Sequence, residues 1–115
     1  MRRLVKSFGY ALSGITYTVK TQMNFRIHLA VILLVGLAGW YFHLSAAEWI
    51  WIVLTIGLVL VTELLNTAIE LLVDLISPGF NMQAGKVKDI AAGAVLVAAC
   101  ISVVTGAIIF IPKFI

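Results

Sequence analysis

Thr62–Asp74 reads TELLNTAIELLVD and carries three of the chain's five acidic residues, Glu63, Glu70 and Asp74. At about 100° per residue of helix, Glu70 falls about 20° to one side of Glu63 and Asp74 about 20° to the other. Asn66 stands roughly 60° away. Three carboxylates and an amide thus share one stripe, and the stripe follows directly on a long apolar run. Carboxylates with an asparagine make a good oxygen site for a hard cation such as Mg²⁺. Lysine or arginine nearby suits phosphate oxygens. A carboxylate partly removed from water is a better proton acceptor, which fits a general base acting on a hydroxyl. Together these are the parts of a phosphoryl transfer to a lipid alcohol. The same stripe is also compatible with a polar seam between helices, or with an ion or proton path.

The elements that hold this stripe follow from composition. The 115 residues leave room for one domain. With 63% hydrophobic residues, 11% charged residues and a mean hydropathy of +1.13, a soluble domain could not cover its apolar surface. The expected class is an all-α integral membrane protein. Residues 1–20 place Leu4, Phe8, Leu12, Ile15 and Val19 on one helical stripe, with Arg2, Arg3, Lys6 and Lys20 around it. That pattern predicts an amphipathic helix on an anionic membrane surface. Arg3, Lys6 and Tyr10 lie near one another on it, facing either solvent or a polyanionic ligand. Three spans are predicted over about 27–43, 48–74 and 88–111. Trp40, Tyr41, Trp49 and Trp51 suit the interface far from the stripe. Ser77-Pro78-Gly79 predicts a turn, with 81–89 as a polar loop and Pro112-Lys113 ending the last span. Ala91, Ala94, Ala98 and Ser102 form a small-residue diagonal that lets helices approach closely in lipid.

Seven of the eight basic residues fall on one side of this topology. The positive-inside rule therefore puts the N-terminus and the 75–89 loop in the cytoplasm. At 1.5 Å per residue, Glu63 lies roughly 20 Å below Glu48 and inside the inner leaflet. Glu70 and Asp74 emerge at the inner interface. Other motifs are weak. Gly79…Gly85-Lys86 has one residue too many for a phosphate loop, and Val87 stands where Ser or Thr should be. His28 and His43 sit at opposite ends of the first span, so no zinc site is expected, and His28 reads as an interfacial hydrogen-bonding residue. Cys100, the one cysteine, reads as a packing residue. No signal peptide and no nucleic-acid partner are expected.

At Glu63–Asp74 the sequence resembles the bacterial integral-membrane diacylglycerol kinase and undecaprenol kinase family. The resemblance continues through KVKDIAAGAV (Lys86–Val95) and RRLVKSFGYALSGI (Arg2–Ile15), and so covers nearly the whole chain. It implies an ATP- and Mg²⁺-dependent lipid kinase of the bacterial inner membrane, a homotrimer with active sites shared between subunits. It gives Glu63 the role of general base at the lipid hydroxyl and Glu70 that of metal ligand. Asn66 would orient the reacting groups. Asp74, Lys88 and Asp89 would hold the nucleotide, with Arg3, Lys6 and Tyr10 lining the same site. The family pattern Glu-x-Asn-Phe before the first span carries a second metal ligand, and here that position is Gln22, in TQMNF. A neutral oxygen there implies a weaker metal site, which makes a catalytically weakened or non-catalytic member an alternative, beside a small ion-conducting oligomer. NFRIH (Asn24–His28), the SP turn and the IFIPK ending resemble the undecaprenol kinase branch, which favours undecaprenol over diacylglycerol as acceptor.

Overall fold

A computed structural model describes residues 1–115 as four helices. They are α1 (Arg2–Thr21), α2 (Met23–Tyr41), α3 (Ala46–Ile76) and α4 (Met82–Phe114). The last three are each long and apolar enough to cross a membrane. At 1.5 Å per residue, the 31 residues of α3 and 33 of α4 span about 45–50 Å, well beyond a ~30 Å hydrocarbon core. Both helices therefore project past the apolar layer, and the acidic end of α3 runs beside the start of α4.

The centre of the molecule is the α3–α4 pair. The buried residues of α3 are Ile52, Thr55, Val59, Glu63 and Thr67, a stripe at steps of three and four that forms one helical face. Opposite it, α4 buries Ala91, Ala98 and Ile109, small at the stripe's end and bulky at the far end. The threonines on this face are satisfied within their own helix. Thr55 Oγ1 donates to the Ile52 carbonyl at 3.1 Å and Thr67 Oγ1 to the Glu63 carbonyl at 3.0 Å, so they add no unpaired polar group in lipid. The α2 helix packs on α3 and meets α4 through rings, with Phe42 4.9 Å from Phe114 and 6.2 Å from Phe110 between centroids. Gly39 is buried where Trp49 and Leu44 cross it, and a Cβ there would collide with both side chains.

The turns are closed by polar groups. At the end of α2, His43 has φ 55°, while Leu44 N–H donates to the Gly39 carbonyl at 3.1 Å and His43 N–H to that of Trp40 at 3.3 Å. This pair of bonds is a Schellman motif with His43 at the left-handed position. One residue after Leu44, Ser45 opens α3 with a capping box. Its hydroxyl accepts from Glu48 N–H at 3.2 Å, and its own N–H donates to Glu48 Oε1 at 2.9 Å. Glu48 also pairs with Lys113 Nζ at 3.2 Å, which ties α3 to the end of α4. Between α1 and α2 a single extended residue, Gln22, breaks the helix. Arg26 reaches back across this elbow, its Nη1 donating to the Val19 carbonyl at 2.7 Å and the Lys20 carbonyl at 3.0 Å. These are end-of-helix carbonyls with no partner inside α1.

Two expectations about helix limits are corrected. The segment predicted as a polar loop over 81–89 is helical from Met82, because Asn81 Oδ1 accepts from Gln83 N–H and Ala84 N–H at 2.9 and 3.1 Å and caps the helix. Pro112 does not end α4, which continues to Phe114. A proline near the C-terminus costs one intrahelical bond, and the Phe114–Phe42 stacking and Lys113–Glu48 pair hold the last turn in place.

Two substitutions test these closures. His43→Gly should raise the melting temperature in detergent, by about 1 kcal/mol of stability, because glycine adopts positive φ without Cβ strain; a lowered melting temperature would argue against the strained turn. Arg26→Met should cost about 1 kcal/mol and speed amide hydrogen exchange in the last turn of α1, leaving α3 and α4 protected.

Candidate active site

Glu63 is the one acidic residue buried in the bundle, 3% exposed. No lysine or arginine pairs with it: Lys88 pairs with Asp74, Lys113 with Glu48, and Arg26 is turned to the α1 carbonyls. Its neighbour is His28 of α2, whose Nε2 lies 3.1 Å from Glu63 Oε1. The distance suits a hydrogen bond, but the approach is off-line, and Oε1 has no donor in hydrogen-bond geometry. One turn along the stripe, Asn66 Nδ2 donates to Glu70 Oε1 at 3.2 Å. The carboxylate accepts only, so this bond fixes the amide orientation and leaves Asn66 Oδ1 buried without a partner. Glu63 and Asn66 thus each offer an unsatisfied buried oxygen, and buried acceptors without partners are uncommon.

Further along α3 the stripe becomes wet. Glu70 is half-buried and Asp74 exposed. Asp74 Oδ1 is 2.6 Å from Lys88 Nζ on α4, so the structure joins two residues expected at one nucleotide. Beside this pair a recess of about 280 Å³ at the α3–α4 turn is lined by Asp74, Ser77, Asn81, Gly85 and Lys88, among others. Asp89 is exposed next to it on the chain and makes no ion pair.

The remaining expected residues make no side-chain hydrogen bond or ion pair with the stripe. Gln22 is the half-buried elbow residue; its N–H donates to the Thr18 carbonyl at 2.9 Å and its carbonyl accepts from Arg26 N–H at 3.3 Å. Its side chain makes no capping bond. Arg3, Lys6 and Tyr10 are exposed, and their side chains make no ion pair or hydrogen bond. The later half of α1 lies against α3, where Ala11, Gly14, Ile15 and Thr18 face Leu64 and Ala68 across a groove of about 370 Å³. Within one chain no three His, Cys, Asp or Glu side chains form a metal-holding group. Two features escaped sequence reading. His28 belongs to the Glu63 site, and no spacing rule links residues on separate helices. The Ser45-x-x-Glu48 capping box was readable from its pattern.

The stretch that carries the site is matched by known proteins. A model of the prokaryotic diacylglycerol kinases matches residues 9–110, which include the whole acidic stripe and Lys88. The undecaprenol kinase of Bacillus subtilis is 46% identical over 113 residues, covering 98% of this chain and 92% of that protein. A diacylglycerol kinase of Synechocystis is 43% identical over 110 residues, 95% of this chain and 63% of its own length. The diacylglycerol kinase of Escherichia coli is 32% identical over 113 residues, 97% of this chain and 92% of that protein. Carrying the buried Glu63, the Asn66–Glu70 pair and the Asp74–Lys88 pair within a match of this extent, the chain belongs to the prokaryotic diacylglycerol kinase family.

Proposed function

We propose that this protein transfers the γ-phosphoryl group of ATP to the hydroxyl of a membrane lipid alcohol, with undecaprenol preferred to diacylglycerol. The observation that carries the reading is the Glu63 carboxylate, buried with no lysine or arginine partner, with the unpartnered Asn66 Oδ1 one helical turn along. A lipid hydroxyl reaching this depth meets a carboxylate that no lysine or arginine neutralises. Glu63 takes the hydroxyl proton as the oxygen attacks the γ-phosphorus, the bond from that phosphorus to the bridging oxygen of ADP breaks, and ADP leaves with the electron pair. Asn66, held by Glu70, orients the reacting groups.

Asp74, Lys88 and Asp89 hold the nucleotide at the wet end of the stripe, with Lys88 moving from Asp74 to phosphate. A guanidinium and an ammonium, Arg3 and Lys6, with Tyr10, complete the nucleotide site from α1. Glu70 and the neutral Gln22 oxygen are the groups that would hold Mg²⁺, and the unsatisfied Asn66 oxygen fits the same hard-cation chemistry. Bound there, the ion supplies neutralisation of charge on the transferring phosphate. Within one chain Glu70 is only half-covered, Asp74 is not covered, and the side chains of Arg3, Lys6 and Tyr10 engage nothing, which supports a homotrimer in which α1 of one subunit serves another's stripe. The basic face of α1 supports an orientation with the N-terminus and the α3–α4 turn in the cytoplasm of a bacterial inner membrane. The undecaprenol preference rests on the 46% identity to the Bacillus subtilis undecaprenol kinase.

Purified protein with Mg-ATP should phosphorylate undecaprenol faster than diacylglycerol, and chelation of Mg²⁺ should stop the reaction. Glu63→Gln should lower the rate by roughly 100-fold or more; near-normal turnover in that variant would remove Glu63 as the base. Gln22→Glu restores a charged oxygen at the elbow, and should lower the Mg²⁺ concentration for half-maximal rate. An unchanged Mg²⁺ dependence would exclude position 22 from the metal site.

A further inference from the structure

His28 is the unassigned titratable group at the centre of the site. Its side chain is 25% exposed and that of Glu63 4%, so their contact is largely shielded from water. The other charged side chains of α2, α3 and α4 are engaged elsewhere or exposed: Arg26 with α1, Lys88 with Asp74, Glu48 with Lys113, Glu70 with Asn66, and Lys86 and Asp89 at the surface. α1 presents the buried Thr18 toward the bundle, its hydroxyl already donating to the Gly14 carbonyl. On the side of His28 away from α1, a cavity of about 30 Å³ is walled by Val31, Ile32, Ile56, Val59 and Ser102. It is too small for a lipid chain. The 3.1 Å separation is short enough for a hydrogen bond once the ring and carboxylate align, and catalytic hydrogen bonds are often poorly aligned until substrate binds.

We propose that His28 is a positioning residue for Glu63: its Nε2–H closes on Glu63 Oε1 and fixes the carboxylate rotamer, so that Oε2 faces the lipid hydroxyl. This rests on the proposed role of Glu63 as the base. A buried carboxylate with no lysine or arginine partner has no other charged group to fix its direction. An error of about 1 Å in a reacting group costs roughly 100-fold in rate. The reach of the nitrogen decides the effect, because glutamine places an amide N–H near the position of Nε2, whereas the shorter asparagine places it near that of Nδ1.

Two measurements test this. The first needs no activity: in protein with ¹⁵N-labelled histidine, Glu63→Gln should move the Nε2 resonance of His28 and leave that of His43 in place. An unmoved His28 resonance overturns the contact. In the second, His28→Asn and His28→Leu should lower kcat roughly 10- to 100-fold with KM for ATP unchanged, while His28→Gln retains most of kcat. Equal loss in the glutamine and asparagine variants, no loss in any variant, or a loss carried by KM for ATP overturns the positioning role. A wild-type protein with no lipid kinase activity overturns the functional reading and the kinetic role with it, while the resonance still decides the contact.

Discussion

A carboxylate at the foot of an apolar bundle is the constraint on which the rest of this structure depends. Placing a charged group at the centre of a membrane helix costs about 2.5–3.5 kcal/mol by insertion scales, and more on an isolated helix. Glu63 is held there at 3% exposure with no lysine or arginine to offset it. The surrounding face can accept it only because its other polar members are already satisfied. Thr55 and Thr67 turn their hydroxyls onto their own helix, and small side chains of α4 at Ala91 and Ala98 let the α3–α4 backbones close over the stripe. An apolar residue in place of Glu63 would pack this seam with less cost, so the acid is retained against stability.

Holding such a residue in register requires rigid ends, and the chain supplies one at every turn. The Schellman turn through His43, the Ser45 capping box, the Asn81 cap and the Arg26 clasp each close backbone groups left open at helix ends. In a membrane protein this matters more than in water, because an open N–H or carbonyl near the hydrocarbon has no solvent to bind. Glu48 serves twice, in the capping box and on Lys113. That pair, with the Phe42–Phe114 contact, locks one end of α2, α3 and α4 together, and the Asp74–Lys88 pair joins α3 to α4 at the other.

What was legible in the sequence follows from the range of the forces involved. Three apolar runs and the alignment of Glu63, Glu70 and Asp74 are properties of single helices, and a period of 3.6 residues displays them directly. Contacts between helices are not so displayed. Glu48–Lys113 spans 65 positions, His28–Glu63 joins two separate helices, and the loops between them impose no spacing that would pair them. The early start of α4 was a different failure. Residues 81–89 are polar, and polarity alone predicts a loop, although Asn81 is a good capping residue and a polar helix beyond the apolar layer needs no lipid-facing side chains. Pro112 shows the converse, a strong local breaker outweighed by tertiary contacts on the residue after it and the one after that.

The acidic stripe also carries a gradient that neither its composition nor its helical period contains. Glu63 is buried, Glu70 half-buried and Asp74 exposed, over three helical turns of about 5.4 Å each. A seam between helices would keep its carboxylates uniformly dry and paired, and an ion path would need acceptors on more than one of the facing helices. Here the dry end has open acceptor oxygens and the wet end a lysine that can exchange a carboxylate for a phosphate. A reaction that joins a hydroxyl confined to lipid with a phosphate confined to water needs its two ends solvated this differently, within reach of one another on a single rigid element. In the reading proposed above, α3 provides that element.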